Sequence, residues 1–463
     1  MLGPKRVARI GIPLLFCGLF FGVQNWLLAD ERNHSEPKVL LADASDAKPT
    51  YAKQSFILSP SHATVIPQVL YEKAWKLIKE GYYDPKFNNQ NWSRWEHHYD
   101  GKLKTIDDAH KGIETMLASL NDPYTRFLDR EQFDDERSQI DAHLFGVGMQ
   151  LGMNKEHKVV VIAPIEGTPA FKGGIQSGDE ITEVDSKPVK GQSLDQVVKQ
   201  IRGPIDSTVN ITISRKNEHK KIPLVRAEIP IKAVAAAEVL PGNIGYIRLD
   251  SFISSKATSE MKQALKKVSN TDGLILDLRN NPGGLLANAI DIASMFLDKG
   301  VIVSTIDSDN YKTSQYALPN SQITKEPMTV LINGGSASAS EILSGALRDN
   351  GRAKLVGQKS FGKGLVQAIN RLEDGSGINV TIAKYVTPND TDIHKVGIIP
   401  DYKVDLKDDD FMKGKGPWWI DLSYTNFKRS PTDGKDVQLN KAIEVTKDLV
   451  AKAHDNTTAS LKN

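Results

Sequence analysis

Two neighbouring stretches carry residue types that could do covalent chemistry: Asn333–Asp349, N-G-G-S-A-S-A-S-E-I-L-S-G-A-L-R-D, and Val356–Gln367, V-G-Q-K-S-F-G-K-G-L-V-Q. A serine hydroxyl is a weak nucleophile until a base takes its proton. Ser338 and Glu341 fit the S-x-x-E capping box, which puts Ser338 at the N-cap of a helix. Ile342, Leu343, Ala346 and Leu347 then continue as one apolar face at helical spacing. The apolar run Met328–Ile332 predicts a strand just before the Gly-Gly turn. A strand-to-helix turn of this kind lifts a hydroxyl to the top of a sheet, beside backbone N–H groups that could hold an oxyanion. Ser338 is therefore read as nucleophile and Lys363, between Gly362 and Gly364, as its base. Spacing alone leaves Ser336 and Ser340 open as alternatives.

A lysine base must first become neutral. From a reference pKa of about 10.4, neutrality near pH 7 requires a drop of about 3 units, roughly 4 kcal/mol. Burial in a dry pocket can supply it. The flanking glycines let the backbone pack closely there. Gln367, four residues on, falls on the same strand face as Lys363 and can accept from or orient the amine.

Two other chemistries compete for these residues. Gly357–Lys363 satisfies the phosphate-loop pattern G-x-x-x-x-G-K, but Gly364 stands where a Ser or Thr would bind Mg²⁺, and a strand follows where a helix is needed. A Ser–His pair would have to use His394, in the loop D-I-H-K-V-G-I-I-P-D, since no histidine stands near the cluster. Upstream, Trp92, Trp95, His97 and His98 cluster between two helical stretches. They read as core and surface aromatics rather than metal ligands, because no third ligand follows at suitable spacing.

The elements that must position Ser338 and Lys363 form an alternating strand–helix pattern from residue 229 onward. Ile244–Leu249, Gly273–Leu278, Val301–Ser304, Met328–Ile332 and Ala353–Val356 read as strands, with helices over Ser255–Val268 and Leu285–Leu297. Gly364–Leu372 and Ile378–Val386, joined by Asp374-Gly375-Ser376-Gly377, predict a hairpin. The functional loops fall at strand ends of an α/β sheet. Earlier in the chain, helices are predicted over Ile66–Tyr82 and Ile106–Leu120. A β-rich stretch follows, with one alternating strand over Leu144–Leu151 and a helix over Ser193–Ile201. The stretch after Asp405 predicts a helix over Leu439–His454 and carries no chemistry of its own.

With these elements in place, a family resemblance can be read. The strand G-V-G-M-Q-L, the segment G-I-Q-S-G-D-E-I and the helix ending Q-I-R-G-P resemble the permuted PDZ domains of bacterial exported proteases. The motifs N-x-G-S-A-S-A-S-E-I, G-K-G-x-V-Q, D-L-R-N-N-P-G-G and G-I-I-P-D resemble those of the C-terminal processing peptidases, or tail-specific proteases, from about residue 60 to 402. The resemblance implies a multidomain α/β fold: an N-terminal helical domain, a PDZ-like β-rich domain and a protease core. It selects Ser338 as nucleophile, Lys363 as general base and Gln367 as orienting residue, and implies an oxyanion hole from the N–H groups of Ala339 and Gly284. Gly146, Val147, Gly148 and Met149 would bind a substrate's C-terminal carboxylate, the peptide adding as a strand. Arg202 would sense peptide occupancy, although an arginine at a helix C-terminus also suits the helix dipole. No metal or cofactor is implied.

Composition sets the outer limits. Lys+Arg number 59 against 57 Asp+Glu, a formal charge of +2, which argues against nucleic acid as partner. Lys5, Arg6 and Arg9 precede a charge-free run from Ile10 to Ala29, which reads as a signal peptide or an uncleaved membrane anchor over residues 10–29. Cys17 is the single cysteine, so the part beyond residue 29 has neither a disulfide nor a cysteine nucleophile. The expected layout is 1–29 signal or anchor, 30–55 linker, 56–135 helical domain, 136–228 PDZ domain, 229–405 catalytic core and 406–463 extension. The expected protein is an exported serine endopeptidase of the periplasm or the periplasmic face of the inner membrane, acting on polypeptides with accessible C-termini. An adaptor protein and a homo-oligomer stay open.

Overall fold

A continuous apolar strand buried on both faces needs a layer of helix on each side. The computed structural model describes residues 66–460, except 141–142, 154–155, 166, 177, 216–217, 231, 408–409, 411–412 and 420–428. The basic and apolar N-terminal segment and the linker lie outside the described residues. Gly273–Asp277 and Met328–Ile332 are buried throughout and form the middle of a six-stranded sheet. Its order is 234–240, 244–249, 273–277, 328–332, 353–357 and 402–403. The first pair is antiparallel and every later pair parallel.

Side-chain alternation assigns the two faces. Leu274, Leu276, Met328, Val330 and Ile332 point into a core shared with the helices Ala257–Lys267, Leu286–Ser294 and Ala339–Asp349. Ile275 and Leu331 point the other way, onto Leu439, Ala442 and Val445 of the helix Val437–Ser460. The C-terminal stretch, read from sequence as carrying no chemistry, thus covers the second face of the sheet. It is also tied in by charge. Arg279, fully buried at the end of the 273–277 strand, holds Asp277 at 2.7 Å and Asp436 at 2.9 Å. Its Nη1 also donates to Gln438 Oε1 at 3.1 Å. Removing one partner of such a pair leaves a buried charge half-satisfied. Asp436→Ala is therefore expected to lower stability by about 3–5 kcal/mol, read as a fall in the denaturant midpoint. An unchanged midpoint would mean that the tail is not integral to the sheet.

A second sheet holds the predicted hairpin. Leu365–Arg371 pairs antiparallel with Gly377–Val386, which also pairs with Arg126–Leu128 and Val301–Ile306. Lys312–Tyr316, not predicted, completes this sheet as an edge strand beside 301–306. The helices Pro67–Gly81 and Ile106–Ala118 pack over it through Leu70, Tyr71, Ile78, Ile113 and Met116 onto Leu372, Ile378 and Val380. Trp92 and Trp95 are buried in the same cluster, as the sequence predicts.

The β-rich stretch forms a third sheet, ordered 149–153, 159–164, 180–184, 208–215 and 218–225, with the helix Leu194–Ile201 against it. The single strand predicted over Leu144–Leu151 is two strands. His143–Gly146 pairs with Ala227–Pro230, and Met149–Met153 pairs with Val159–Pro164. The break falls at Gly148, whose φ of +75° takes the chain out of the extended region. Among the described residues no helix is long and apolar enough to cross a membrane.

Candidate active site

The turn after the 328–332 strand is pinned before it reaches Ser338. Asn333 Oδ1 accepts from the amides of Asn280 at 2.8 Å and Gly335 at 3.0 Å, joining this turn to the loop after the 273–277 strand. The Ala337 amide donates to the Asn281 carbonyl at 3.0 Å. Ser338 then takes φ +53° and ψ −114°, a conformation costly for a residue with a Cβ. Its neighbours hold it there, and the helix Ala339–Asp349 starts immediately.

The three serines left open by spacing have different surroundings. Ser336 Oγ donates to the Leu278 carbonyl and Ser340 Oγ to the Asn281 carbonyl, both at 2.8 Å. The buried Ser338 Oγ has no hydrogen-bond partner. A buried hydroxyl without a partner is rare enough to require a reason, and a reactive role is one.

Glu341 does more than cap the helix. Its Oε2 accepts from the amides of Ser338 and Lys363, each at 2.9 Å. Its Oε1 accepts from Ser360 Oγ at 2.5 Å and the Gly362 amide at 2.7 Å. One buried carboxylate thus spans the backbones of both candidate residues. Desolvation pushes its pKa up, and these donors oppose the rise. Sequence reasoning saw only the cap, because the capping box is local and the other three donors come from a loop about 20 residues away.

Lys363 is 2% exposed. Burial lowers its pKa to about 8, with Arg126 adding to the drop and Glu136, Asp122 and Glu341 opposing it. Its Nζ sits 4.8 Å from the centroid of the Tyr124 ring. The flanking glycines are needed for close approach. A Cβ at Gly362 would lie 2.9 Å from the Gly397 amide, and one at Gly364 would lie 2.9 Å from the His394 amide. The loop carrying His394 therefore packs on the lysine segment through backbone. Burial lowers the pKa of His394, and its Nδ1 makes no hydrogen bond, so no Ser338–His394 hydrogen bond forms through it.

Gln367 is also buried. Its strand begins at Leu365, after Lys363, and the register shifts between Val366 and Gln367. Lys363 thus lies just outside the strand that carries Gln367, and the extra residue of the bulge, Ile382, falls on the partner strand. Gln367 Nε2 approaches Thr381 Oγ1 at 3.5 Å, and Oε1 has no partner. Since neither Ser338 Oγ nor Gln367 Oε1 is hydrogen-bonded, the Lys363 amine is bonded to neither in this conformation. Catalytic hydrogen bonds are often open without substrate and close with it.

The candidate oxyanion donors lie on facing segments. Ala339 is the first residue of its helix, where amides have no intrahelical acceptor. A Cβ at Gly283 would fall 2.9 Å from that amide and from Ser338 Cβ. Gly284 follows with φ +147°, and a Cβ there would lie 2.2 Å from the Ile253 amide. Gly283 lets this loop lie directly against the Ser338 turn, and Gly284 lets it lie against the Phe252–Ile253 backbone.

In the β-rich unit, Gly146 ends one strand and Met149 begins the next. The carbonyls of Val147 and Gly148 accept from the Ala170 and Ile165 amides at 2.7 and 2.9 Å. Arg202 caps the C-terminus of the helix Leu194–Ile201 and pairs with Asp135. Asp135 lies on the helix Arg130–Ile140, beside Glu136, whose charge acts on Lys363.

Comparison with known proteins agrees with this architecture. Residues 243–404 match peptidase family S41, 145–224 match the PDZ domain and 67–110 match the tricorn protease C1 domain. A carboxyl-terminal-processing protease of Synechocystis sp. is 38% identical over 402 residues, covering 84% of this chain and 89% of that protein. A carboxy-terminal-processing protease of Bartonella bacilliformis is 38% identical, covering 75% and 86%. The solved photosystem II D1 C-terminal processing protease is 36% identical with a TM-score of 0.53, covering 74% of this chain and 94% of that one.

Proposed function

Since the chain belongs to the carboxyl-terminal-processing proteases of peptidase family S41, serine-type peptidases acting on polypeptides, we propose that it cleaves exported proteins near their C-termini with a Ser338–Lys363 dyad. The observation that carries this reading is a buried lysine, its pKa lowered to about 8, joined through Glu341 to a strained serine whose hydroxyl has no other use. Gln367 orients the amine, and the amides of Ala339 and Gly284 receive the oxyanion. The division into a helical domain at 56–135, a PDZ domain at 136–228 and a catalytic core at 229–405 goes with this reading. The segment 406–463 serves the core as its second helical layer.

The cycle balances without a cofactor. Neutral Lys363 takes the Ser338 proton as Oγ bonds to the peptide carbonyl carbon. The C–N bond then breaks, and the lysine ammonium gives its proton to the leaving amine. Water attacks the acyl-enzyme, Lys363 taking its proton, and Ser338 leaves with that proton restored. The PDZ residues Gly146, Val147, Gly148 and Met149 hold the substrate's terminal carboxylate, and Arg202 senses that capture through Asp135. The basic and apolar first 29 residues support export, to the periplasm or, if they remain attached, to the periplasmic face of the inner membrane. An adaptor protein and a homo-oligomer are compatible with this reading.

The pH profile tests the base. Only the neutral amine accepts a proton, and its fraction grows as pH rises through about 8. The value of kcat/KM for a tailed polypeptide should rise through that pH and then level, since this parameter reports the free enzyme. A profile flat from about pH 7 to 9 would contradict a lysine base with this pKa.

A further inference from the structure

We infer that Asp122, on the loop leaving the N-terminal helical unit, is a positioning residue for catalysis: through the Thr381 hydroxyl it fixes which end of the Gln367 amide faces Lys363. The inference rests on the Ser–Lys–Gln reading proposed above. It extends that reading to Asp122, just past the predicted helix Ile106–Leu120, and to Thr381, in the predicted strand Ile378–Val386.

The chain of donors has a direction. Asp122 Oδ2 accepts from Thr381 Oγ1 at 2.7 Å and from Thr125 Oγ1 at 2.8 Å. An ionised carboxylate only accepts, so Thr381 spends its single proton on it, while Thr125 Oγ1 gives its proton to Asp122 Oδ2 or to Thr381 Oγ1, 3.1 Å away. Thr125 Oγ1 is then left to accept, and it takes the Thr381 amide at 3.0 Å. Thr381 Oγ1 is likewise an acceptor toward Gln367, and the end of that amide facing it at 3.5 Å is Nε2. The reverse orientation would set Gln367 Oε1 against an oxygen with no proton to give. Oε1 is thereby turned away from Thr381, buried and without a partner. It is the acceptor available to a Lys363 N–H when the dyad closes, which leaves the amine lone pair for the Ser338 proton.

Burial keeps the device intact. Thr381 is 0% exposed, Gln367 1% and Thr125 4%, so water has little access to replace a lost partner. The same short loop carries Tyr124, whose ring lies beside Lys363 Nζ. Its amide also donates to Asp122 Oδ1 at 2.9 Å, which holds the carboxylate in place. Docking of the helical unit on the hairpin sheet, through Arg126–Leu128, therefore completes the catalytic site from outside the core.

The test compares kcat and KM on a polypeptide with a free C-terminal tail, using the full chain. Thr381→Val keeps the shape of the side chain and removes the acceptor. It should lower kcat on the order of a hundredfold, the scale of a small misplacement of a reacting group, with KM nearly unchanged. Thr381→Ser, which restores the hydroxyl, should recover most of that loss. At a pH high enough that Lys363 is neutral in every variant, so that the Asp122 charge no longer alters its neutral fraction, Asp122→Ala should match Thr381→Val. Under that condition either change added to Gln367→Ala should cost nothing further, because all three act through one amide. A merely structural role would instead give additive losses, and additivity would overturn the inference. Full kcat in Thr381→Val beside a slow Gln367→Ala would overturn the relay alone. Full kcat in Gln367→Ala would overturn the Gln367 assignment itself, and the relay with it.

Discussion

Ser338→Ala is expected to abolish peptide-bond cleavage while leaving binding of a tailed polypeptide intact. The substitution removes one atom, Oγ, which makes no hydrogen bond, so folding loses no such bond and thermal stability should hardly move. Catalysis loses the attacking group. In serine peptidases this costs on the order of 10⁴–10⁶ in kcat, the remainder coming from the oxyanion donors and binding. Neighbouring serines should not substitute, because Ser336 and Ser340 donate their protons to the carbonyls of Leu278 and Asn281. The binding half of the expectation follows from distance along the chain. The proposed carboxylate loop, Gly146–Met149, links two strands of other sheets, and Val147 and Met149 pack in a different core cluster from the one that holds Ala339, next to Ser338. Product analysis by mass spectrometry and a fluorescence-anisotropy titration with a labelled C-terminal peptide check the two halves. A fluorophosphonate probe should mark Ser338 in the parent chain and leave the alanine variant unmarked. Cleavage by the variant at more than a trace would move the nucleophile elsewhere.

The parts of the site that sequence made legible are those written in local patterns. The capping box located Ser338 at a helix start, and Gly362 and Gly364 marked Lys363 as a place of close backbone approach. Strands buried on both faces were plain from their unbroken apolar runs. What stayed hidden depends on contacts between distant segments. Glu341 joins the two candidate residues through amide donors, which leave no mark on residue choice. Asp122 reaches Thr381 across 259 positions, and Arg279 reaches Asp436 across 157. No periodicity reports such pairs. The strand predicted over Leu144–Leu151 failed for a different reason: alternation persists across Gly148, while its positive φ, which needs no change in hydrophobic pattern, breaks the strand. A common strand face for Lys363 and Gln367 does not apply for another reason: the strand starts only at Leu365, and a period-two count does not report where pairing begins.

Lys363→Arg should be as inactive as the serine variant, and for a reason that separates charge from base strength. Lys363 still carries its cation most of the time at neutral pH, since its pKa is lowered only to about 8. A charge at this position is therefore tolerated by Glu136, Asp122 and Glu341, the groups that oppose the lowering. Arginine keeps the charge but cannot shed a proton, its pKa lying above about 12. It can hold the field of the site and still fail as a base. Lys363→Met removes the charge and the base together, with a side chain of similar length. If the amine acts by accepting a proton, both variants lose turnover, and both also lose rapid labelling by a fluorophosphonate, because the serine is no longer activated. If the amine served only as a fixed positive charge for the oxyanion, the arginine variant would keep much of the activity and the methionine variant little. Turnover by Lys363→Arg near the parent rate, measured on the same tailed polypeptide at about pH 8, would exclude the lysine as general base.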